Sequence, residues 1–161
     1  MAGKPVSPDT DLQEVILLHC ESLSLQPLAS HPYHSSALYN LAKALQKRFR
    51  ETGSMTDLEE AILLHHESLS FRPIPHPNRY KSLIDLARAL GDRFAKTGAM
   101  TDLDEAISMA RESLSLSPHP HRLVVLKNLA YYLEVWCREN GSHSDFEELT
   151  SLRQEILAMS K

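Results

Sequence analysis

A segment of 18 residues occurs three times in this chain, and a weaker fourth copy follows. The clearest copy runs from Thr56 to Pro73, and the others cover residues 10–27, 101–118 and, in weaker form, 144–161. The second residue of each copy is an aspartate, at 11, 57, 102 and 145, so the copies lie 46, 45 and 43 residues apart. A repeat of this length is typical of proteins in which similar structural units stack on one another.

Each copy has the pattern of an amphipathic helix, which we term a B-type helix. In the clearest copy, the residues predicted to face inward recur at helical spacing, at 58, 61, 62, 65 and 69. Thr56 can cap the start of this helix together with Glu59. Thr10 with Gln13 and Ser144 with Glu147 predict the same cap, and Thr101 with Asp104 is a weaker version. A proline at the last position of each of the first three copies ends the helix.

Between the copies lies a second kind of helix, which we term A-type. A His-Pro pair precedes each one, at residues 31, 76 and 119, and a glycine at 53, 98 or 141 ends it. Its apolar stripe recurs as Leu38, Leu41, Ala42, Leu45 and Phe49, as Leu83, Leu86, Ala87, Leu90 and Phe94, and as Leu126, Leu129, Ala130, Leu133 and Cys137. The sequence therefore predicts seven helices, over 11–25, 32–51, 57–71, 77–96, 102–116, 120–139 and 145–159.

These helices resemble those of the tetratricopeptide repeat. Asn40-Leu41-Ala42 and Asn128-Leu129-Ala130 are similar to the Asn-Leu-Gly core of its first helix, and residues 58–73 look like its second helix. The repeat is longer than the usual form and is similar to that of kinesin light chains and of large fungal multidomain proteins. The resemblance implies an all-α fold, a right-handed α-solenoid of antiparallel helix pairs. We expect a loose leader over residues 1–9 and a single repeat domain over 10–161, either a segment of a longer array or an array with a helical cap at its start.

Composition excludes several classes of function. The formal net charge of −4 argues against a general nucleic-acid binder. The first residues do not resemble a signal peptide. The chain contains no apolar run long enough to cross a bilayer. Cys20 and Cys137 lack the spacing of a metal or redox motif, and they predict reduced thiols in a cytoplasmic protein.

Charge alternates along the chain, because the B-type helices are acidic and the A-type helices are basic. In tetratricopeptide folds the A-type helices line the concave face, so the resemblance implies a groove that is biased positive. Such a groove attracts acidic peptide segments or C-terminal carboxylates. The family pattern places ten residues in this groove: Tyr39, Asn40, Lys43, Lys47, Lys81, Asp85, Arg88, Lys127, Asn128 and Tyr131.

Two alternatives compete with this interpretation of the charges. Each cation can simply be solvated or paired with an acidic neighbouring helix, above all Arg48, Arg93 and Arg138, which recur at equal spacing. A residue in every repeat more often serves packing or pairing between helices than ligand choice. The chain also lacks the spacing of the family's strict carboxylate clamp, although Asn40, Lys43, Lys81 and Arg88 supply its residue types.

Other functions find less support in the sequence. His65 is predicted to be a core histidine, and His119 with His121 is only a weak cue for a metal, so we expect no metal and no cofactor. The chain contains no nucleophile elbow and no phosphate-binding glycine loop, so we expect no enzyme. The main alternative to peptide binding is a self-assembly module, because an array that starts in the middle of a repeat exposes an apolar helix edge.

Overall fold

Stripes of leucine and alanine at intervals of three and four residues drive this chain into helices. The computed structural model describes residues 8–25, 33–140 and 143–160, and gives only the backbone at residues 8–11, 25, 119 and 120. Within these ranges it contains seven α-helices and no strand: α1 (Pro8–Leu25), α2 (His34–Thr52), α3 (Met55–Ser70), α4 (Arg79–Thr97), α5 (Met100–Leu116), α6 (His119–Asn140) and α7 (His143–Met159). The predicted all-α class and the seven helices are confirmed.

The chain divides into two compact units, and the first covers Met1–Ile74. In this unit α2 packs against both α1 and α3. All five residues of the predicted α2 stripe are buried. The core that joins the three helices consists of Leu12, Ile16, Leu41, Ala44, Leu45 and Ala61. A core of aliphatic residues with small alanines lets the helix backbones approach closely.

The second unit covers Pro75–Lys161 and contains the other four helices. Here α5 packs against α4 and α6, and α7 packs against α6. The predicted stripes of α4 and α6 are buried except for Phe94, which is half-exposed. Six leucines of α4 and α6 lie in this core, each at most 1% exposed: Leu83, Leu86, Leu90, Leu126, Leu129 and Leu133.

The turns after α2 and α4 are alike. Gly53 and Gly98 end the helices with φ of 76° and 70°, the left-handed conformation that glycine adopts without strain. Their N–H groups donate to the carbonyl oxygens of Phe49 and Phe94, both at 2.7 Å. This part of the sequence prediction is confirmed, whereas Gly141 lies outside the described residues.

The B-type helices begin earlier than predicted. The N-cap of α3 is Ser54, whose hydroxyl accepts from the N–H of Asp57 at 3.4 Å, so Thr56 lies inside the first turn. At the start of α5, Ala99 takes the same extended backbone without a side-chain cap. The expected caps at Thr56 and Thr101 are therefore wrong, because the residue after the left-handed glycine already turns the chain into the helix. The side chain of Thr10 lies outside the described residues.

Helix α4 begins later than its His-Pro pair suggests, whereas α6 begins at its pair, with His119. Pro77 lies in a turn in which His76 Nδ1 accepts from the N–H of Asn78 at 3.1 Å, and α4 starts at Arg79. His31 and Pro32 lie outside the described residues.

Candidate interaction surface

Two helix pairs are closed by the same arginine–aspartate contact. Arg48 of α2 donates to both carboxylate oxygens of Asp57 in α3, at 2.6 and 2.7 Å. Arg93 of α4 binds Asp102 of α5 in the same way, at 2.8 and 2.7 Å. Both aspartates are only 5% exposed, so these bidentate contacts are shielded from water. The hydrogen bond to Asp57 raises the pKa of Arg48 and outweighs the opposing effect of burial.

The opposite ends of the same helix pairs also carry equivalent contacts. Arg79 at the start of α4 donates to Glu112 near the end of α5 at 2.6 Å. The corresponding His34 and Glu67 approach to 4.0 Å. The hydroxyls of Ser68 and Ser113 donate to the carbonyl oxygens of Ser35 and Tyr80, at 2.7 and 3.1 Å. At each end of both pairs, the start of one helix contacts the end of the other. Helices α2–α3 and α4–α5 are therefore antiparallel hairpins.

The last hairpin, α6–α7, departs from this arrangement. Arg122 and Glu155 repeat the first kind of contact at 2.7 Å. At the other end, however, Asp145 accepts from Trp136 Nε1 at 3.1 Å, in the place that an arginine takes in the earlier hairpins. Arg138 instead lies 3.8 Å from Glu134 on its own helix. Of the two alternatives to ligand binding, pairing between helices is therefore observed for Arg48 and Arg93, whereas Arg138 is exposed to solvent.

The spacing of the repeats explains this departure. The arginine precedes its aspartate by nine residues in both earlier hairpins, and nine residues before Asp145 stands Trp136. The last repeat is two residues shorter than its predecessor, so Arg138 is out of register. The sequence already contained this signal, because the aspartates are 43 residues apart there and the arginines 45.

In the second unit, the A-type helices α4 and α6 lie side by side. The hydroxyl of Tyr132 in α6 donates to the carbonyl oxygen of Ala87 in α4 at 3.1 Å. A Cβ at Gly91 would lie 2.9 Å from the Tyr132 ring, so any larger residue there would force the ring to move. We use the name α4/α6 surface for the predicted site residues of these two helices, which are Lys81, Asp85, Arg88, Lys127, Asn128 and Tyr131.

The three predicted residues of α4 differ in how much they offer to a ligand. Lys81 is exposed, with its Nζ 5.8 Å from the centre of the Tyr80 ring. Arg88 is half-exposed and lies 3.3 Å from the carboxylate of Asp85. Asp85 itself is only 7% exposed, so it orients Arg88 more than it offers a surface of its own.

The three predicted residues of α6 add an aromatic ring and an exposed cation. Lys127 is exposed and forms no ion pair with any described residue. Asn128 is half-buried. Tyr131 is 59% exposed, and its ring packs edge-on against Tyr132 at 5.7 Å. The α4/α6 surface therefore combines two lysines that form no ion pair with described residues and an exposed aromatic ring.

In the first unit, the predicted residues form one face of α2, here called the α2 surface: Tyr39, Asn40, Lys43 and Lys47. Asn40 and Lys43 are exposed, and Lys43 Nζ lies 5.4 Å from the centre of the Tyr39 ring. Lys47 is also exposed and lies 3.9 Å from Glu51 one turn later. Lysines on this face are thus partly engaged by neighbours on their own helix.

Sequence reasoning missed the cation beneath the α2 surface. Arg72 is only 2% exposed, and its guanidinium carbon lies 4.7 Å from the centre of the Tyr39 ring. It donates to the carbonyl oxygen of Ser35 at 3.3 Å. Burial lowers the pKa of Arg72, because the charged form loses hydration. His65 is fully buried against the same ring, as predicted for a core histidine.

Three further observations concern other possible functions. No group of three or more metal-ligating side chains occurs among the described residues. None of the described helices combines the length and apolar character needed to cross a bilayer. A pocket of about 360 Å³ lies between α6 and α7, and it contains no predicted site residue. It is lined by Glu134, Arg138, Phe146, Leu149, Thr150 and Arg153.

Comparison with known proteins agrees with this architecture. The family profile of the tetratricopeptide repeat matches residues 35–78 and 81–121, together more than half of the chain. A crystal structure from Podosopora anserina, of a protein assigned to the kinesin light chains with nearly identical TPR-like repeats, is similar with a TM-score of 0.68. It is 22% identical, and the match covers 94% of this chain and 68% of that one. A variant of that protein with a single substitution is similar at 21% identity, with the same TM-score and coverage. Comparison with curated proteins gives no significant match.

Proposed function

Because the chain belongs to the tetratricopeptide repeat family, whose members generally mediate protein–protein interactions, we propose that it is a scaffold that binds acidic peptide segments on its A-type helices. The binding site proposed is the α4/α6 surface of the second unit, with the α2 surface as its counterpart in the first. The family is typically non-enzymatic, and the proposed role requires no catalysis.

The observation that carries the proposal is that some cations are bound between helices, whereas others are exposed. Arg48, Arg79 and Arg93 are held in contacts between helices. In contrast, Lys81 and Lys127 are exposed on two adjacent helices and form no ion pair with described residues. An exposed, unpaired cation attracts an anionic ligand without first giving up an internal partner.

The neighbouring side chains suit a peptide. A carboxylate, either from an acidic side chain or from a chain terminus, can pair with an exposed lysine or accept from Arg88. Asn128 can donate to and accept from a peptide backbone, since its amide carries both functions. Tyr131 offers an exposed ring to an apolar or aliphatic neighbour in the ligand.

The test uses a fluorescein-labelled, glutamate-rich peptide with a free C-terminus, and anisotropy to measure its binding to the full chain. Lys81→Gln with Lys127→Gln should weaken binding about tenfold at low salt, and the wild-type affinity should fall as salt is added. The matched control is Arg138→Gln with Arg153→Gln. It removes the same charge from two arginines that lie near Glu134, and it should change the affinity less than about twofold.

Equal weakening by both double variants would show that only net charge matters, and the α4/α6 surface would be rejected. An amidated version of the peptide separates the two sources of the carboxylate. Loss of binding on amidation indicates capture of a chain terminus, and unchanged binding indicates recognition of acidic side chains.

Three further expectations from the sequence concern location, the shape of the groove and self-assembly. A cytoplasmic location is consistent with two cysteines that form no disulfide, one exposed and one buried. The single continuous groove and the self-assembly alternative stay predictions of the sequence.

A further inference from the structure

Hairpin α2–α3 contains a buried histidine at a position where hairpin α4–α5 has a small apolar residue. His65 in α3 is 0% exposed, and both nitrogen atoms of its ring are buried. Ala110 takes the same repeat position in α5 and is 2% exposed. At this position, which water does not reach in either hairpin, only the first hairpin therefore has a group that can take up a proton near neutral pH.

The neighbours of His65 are an aromatic ring and the cations next to that ring. The centres of the His65 and Tyr39 rings are 5.9 Å apart, with an angle of 64° between the ring planes. Two cations lie over the same Tyr39 ring, Arg72 with its guanidinium carbon at 4.7 Å and Lys43 with its Nζ at 5.4 Å from the centre. Because Arg72 is only 2% exposed, one positive charge is already buried beside this ring.

The other groups near His65 come from α3 itself and from α1. On α3, His66 and Glu67 follow His65 in the sequence, and both are exposed. Helix α1 contributes the apolar residues Leu12 and Ile16 to the core of this unit. The charges in contact with the tyrosine ring are thus positive, and the carboxylate that is nearest to His65 in the sequence is exposed to water.

Protonation of His65 is costly in the folded chain. A charged imidazole at this position would lose its hydration and would add a positive charge to the side of the ring network that already holds Arg72. In the unfolded chain the same imidazole is hydrated, and a hydrated histidine takes up a proton near pH 6.5, roughly its ordinary pKa. The unfolded first unit therefore binds more protons than the folded unit in mild acid. Its stability is complete above about pH 6.5 and is lost as the pH falls below that value.

We propose that His65 makes hairpin α2–α3 sensitive to pH, so that mild acid opens this hairpin while hairpin α4–α5 stays closed. Opening separates Tyr39 from His65 and Arg72, and it therefore also disrupts the α2 surface. The second unit has Ala110 and Ile84 at the positions of His65 and Tyr39. This response to pH is a property of the first unit, and it does not depend on the acidic-peptide proposal.

Hydrogen exchange of the full chain at about pH 7.5 and about pH 5 tests the proposal, because exchange reports the local opening of each helix. A histidine that stays neutral in the folded unit and titrates normally in the unfolded unit raises the equilibrium constant for opening about thirtyfold over this range. After correction for the intrinsic exchange rate at each pH, the amides of α3 should therefore lose about thirtyfold more protection in the wild type than in His65→Gln. Glutamine does not titrate, and the contributions of all other groups are shared by the two chains.

The matched control is His66→Gln, one residue further along the same helix. His66 is exposed, so this variant should keep the loss of protection that the wild type shows. The amides of α5 provide an internal control, since Ala110 takes the equivalent position there. Their protection should not differ between the wild type and His65→Gln at either pH.

A measurement on the wild type covers the case in which His65→Gln does not fold. The nitrogen-15 chemical shifts of the imidazole should show a neutral His65 ring in the folded chain at about pH 5.5. A protonated His65 ring in the folded chain at that pH would overturn the proposal. Equal losses of protection in the wild type and His65→Gln, or a loss that His66→Gln reduces as much as His65→Gln does, would overturn it as well. So would a loss in α5 that depends on His65 as strongly as the loss in α3.

Discussion

Hairpin α2–α3 in the first unit and hairpin α4–α5 in the second have the same ends and a different middle. Both are closed by an arginine–aspartate contact at one end and a serine-to-carbonyl hydrogen bond at the other. Between these ends, the first hairpin holds the contact between the Tyr39 and His65 rings, and Arg72, which binds Ser35 at the serine end, reaches over the Tyr39 ring. The second places Ile84, Ala110 and Ser117 at those positions.

This difference separates two roles in the repeat. The shared ends set the register and direction of each hairpin, because polar contacts between charged groups tolerate little displacement. The positions that differ, which we call the variable middle, fill the interface with different side chains in the two hairpins. Residues that recur therefore describe the fold, and residues that differ between hairpins are where binding properties can differ.

The largest expected effect concerns the shared core. Leu45 and Leu90 are equivalent, and both are at most 1% exposed. Leu45→Ala and Leu90→Ala should each lower the free energy of unfolding by about 2–5 kcal/mol, through lost burial and a residual cavity. Urea denaturation of the full chain measures both. A loss under about 1 kcal/mol at either position would mean that the packing there differs from this description.

The next effect tests the shared arginine–aspartate contact. Asp57→Asn and Asp102→Asn keep the shape of the side chain. They remove the negative charge to which two nitrogen atoms of the arginine donate. Each should cost about 1.5–3 kcal/mol, the range for hydrogen bonds to charged groups.

The third hairpin provides the control for that contact. Asp145→Asn should cost less, because the hydrogen bond to Asp145 comes from the neutral indole of Trp136. Its ion pair with Arg111, at 3.5 Å, is also longer than the arginine contacts of Asp57 and Asp102. Thermal melts of the three variants rank the contacts. A loss at Asp145 as large as at Asp57 would remove the distinction between the regular hairpins and the last one.

A smaller and equal effect is expected at the two glycine turns. Gly53 and Gly98 have φ of 76° and 70°, with open space where a Cβ would stand. Replacement by alanine should therefore cost about 1–2 kcal/mol from backbone strain alone, without a clash. Unequal losses, measured by urea denaturation, would show that one turn is held by contacts that the other lacks.

The smallest expected effect lies in the variable middle. Arg72→Met removes the hydrogen bonds to Ser35 but also the cost of burying a charge, so stability should change by about 1 kcal/mol or less. The matched variant Ser117→Ala should also have a small effect. A loss of several kcal/mol in urea denaturation of Arg72→Met would mean that this cluster supports the first hairpin as strongly as the shared ends do.

The sequence predicted the helices and their buried stripes, because a period of three and four residues is a local signal that tertiary packing reinforces. It misplaced the starts of α3 and α5, where Ser54 or Ala99, the residue after a left-handed glycine, begins the helix before the threonine. It also could not show Arg72 beneath Tyr39, because the two residues meet only when α2 and α3 pack.

The candidate surface was predictable in part. Helical spacing alone places Lys81 and Arg88 on one stripe of α4. Which cations remain available depends on the neighbouring helix. The equal spacing of three arginines favoured pairing for Arg93, which binds Asp102, but it did not show that Arg138 contacts Glu134 on its own helix. The burial of Asp85 likewise follows from packing that the spacing does not contain.

The central functional claim is that an acidic peptide binds where exposed lysines lie on adjacent A-type helices. NMR titration of the isotopically labelled chain with the glutamate-rich peptide tests this residue by residue. We expect the largest shifts at the backbone amides of Lys81, Arg88, Lys127 and Tyr131, with little change along α5. Shifts concentrated on α5 or α7, with the α4/α6 surface unaffected, would contradict the claim.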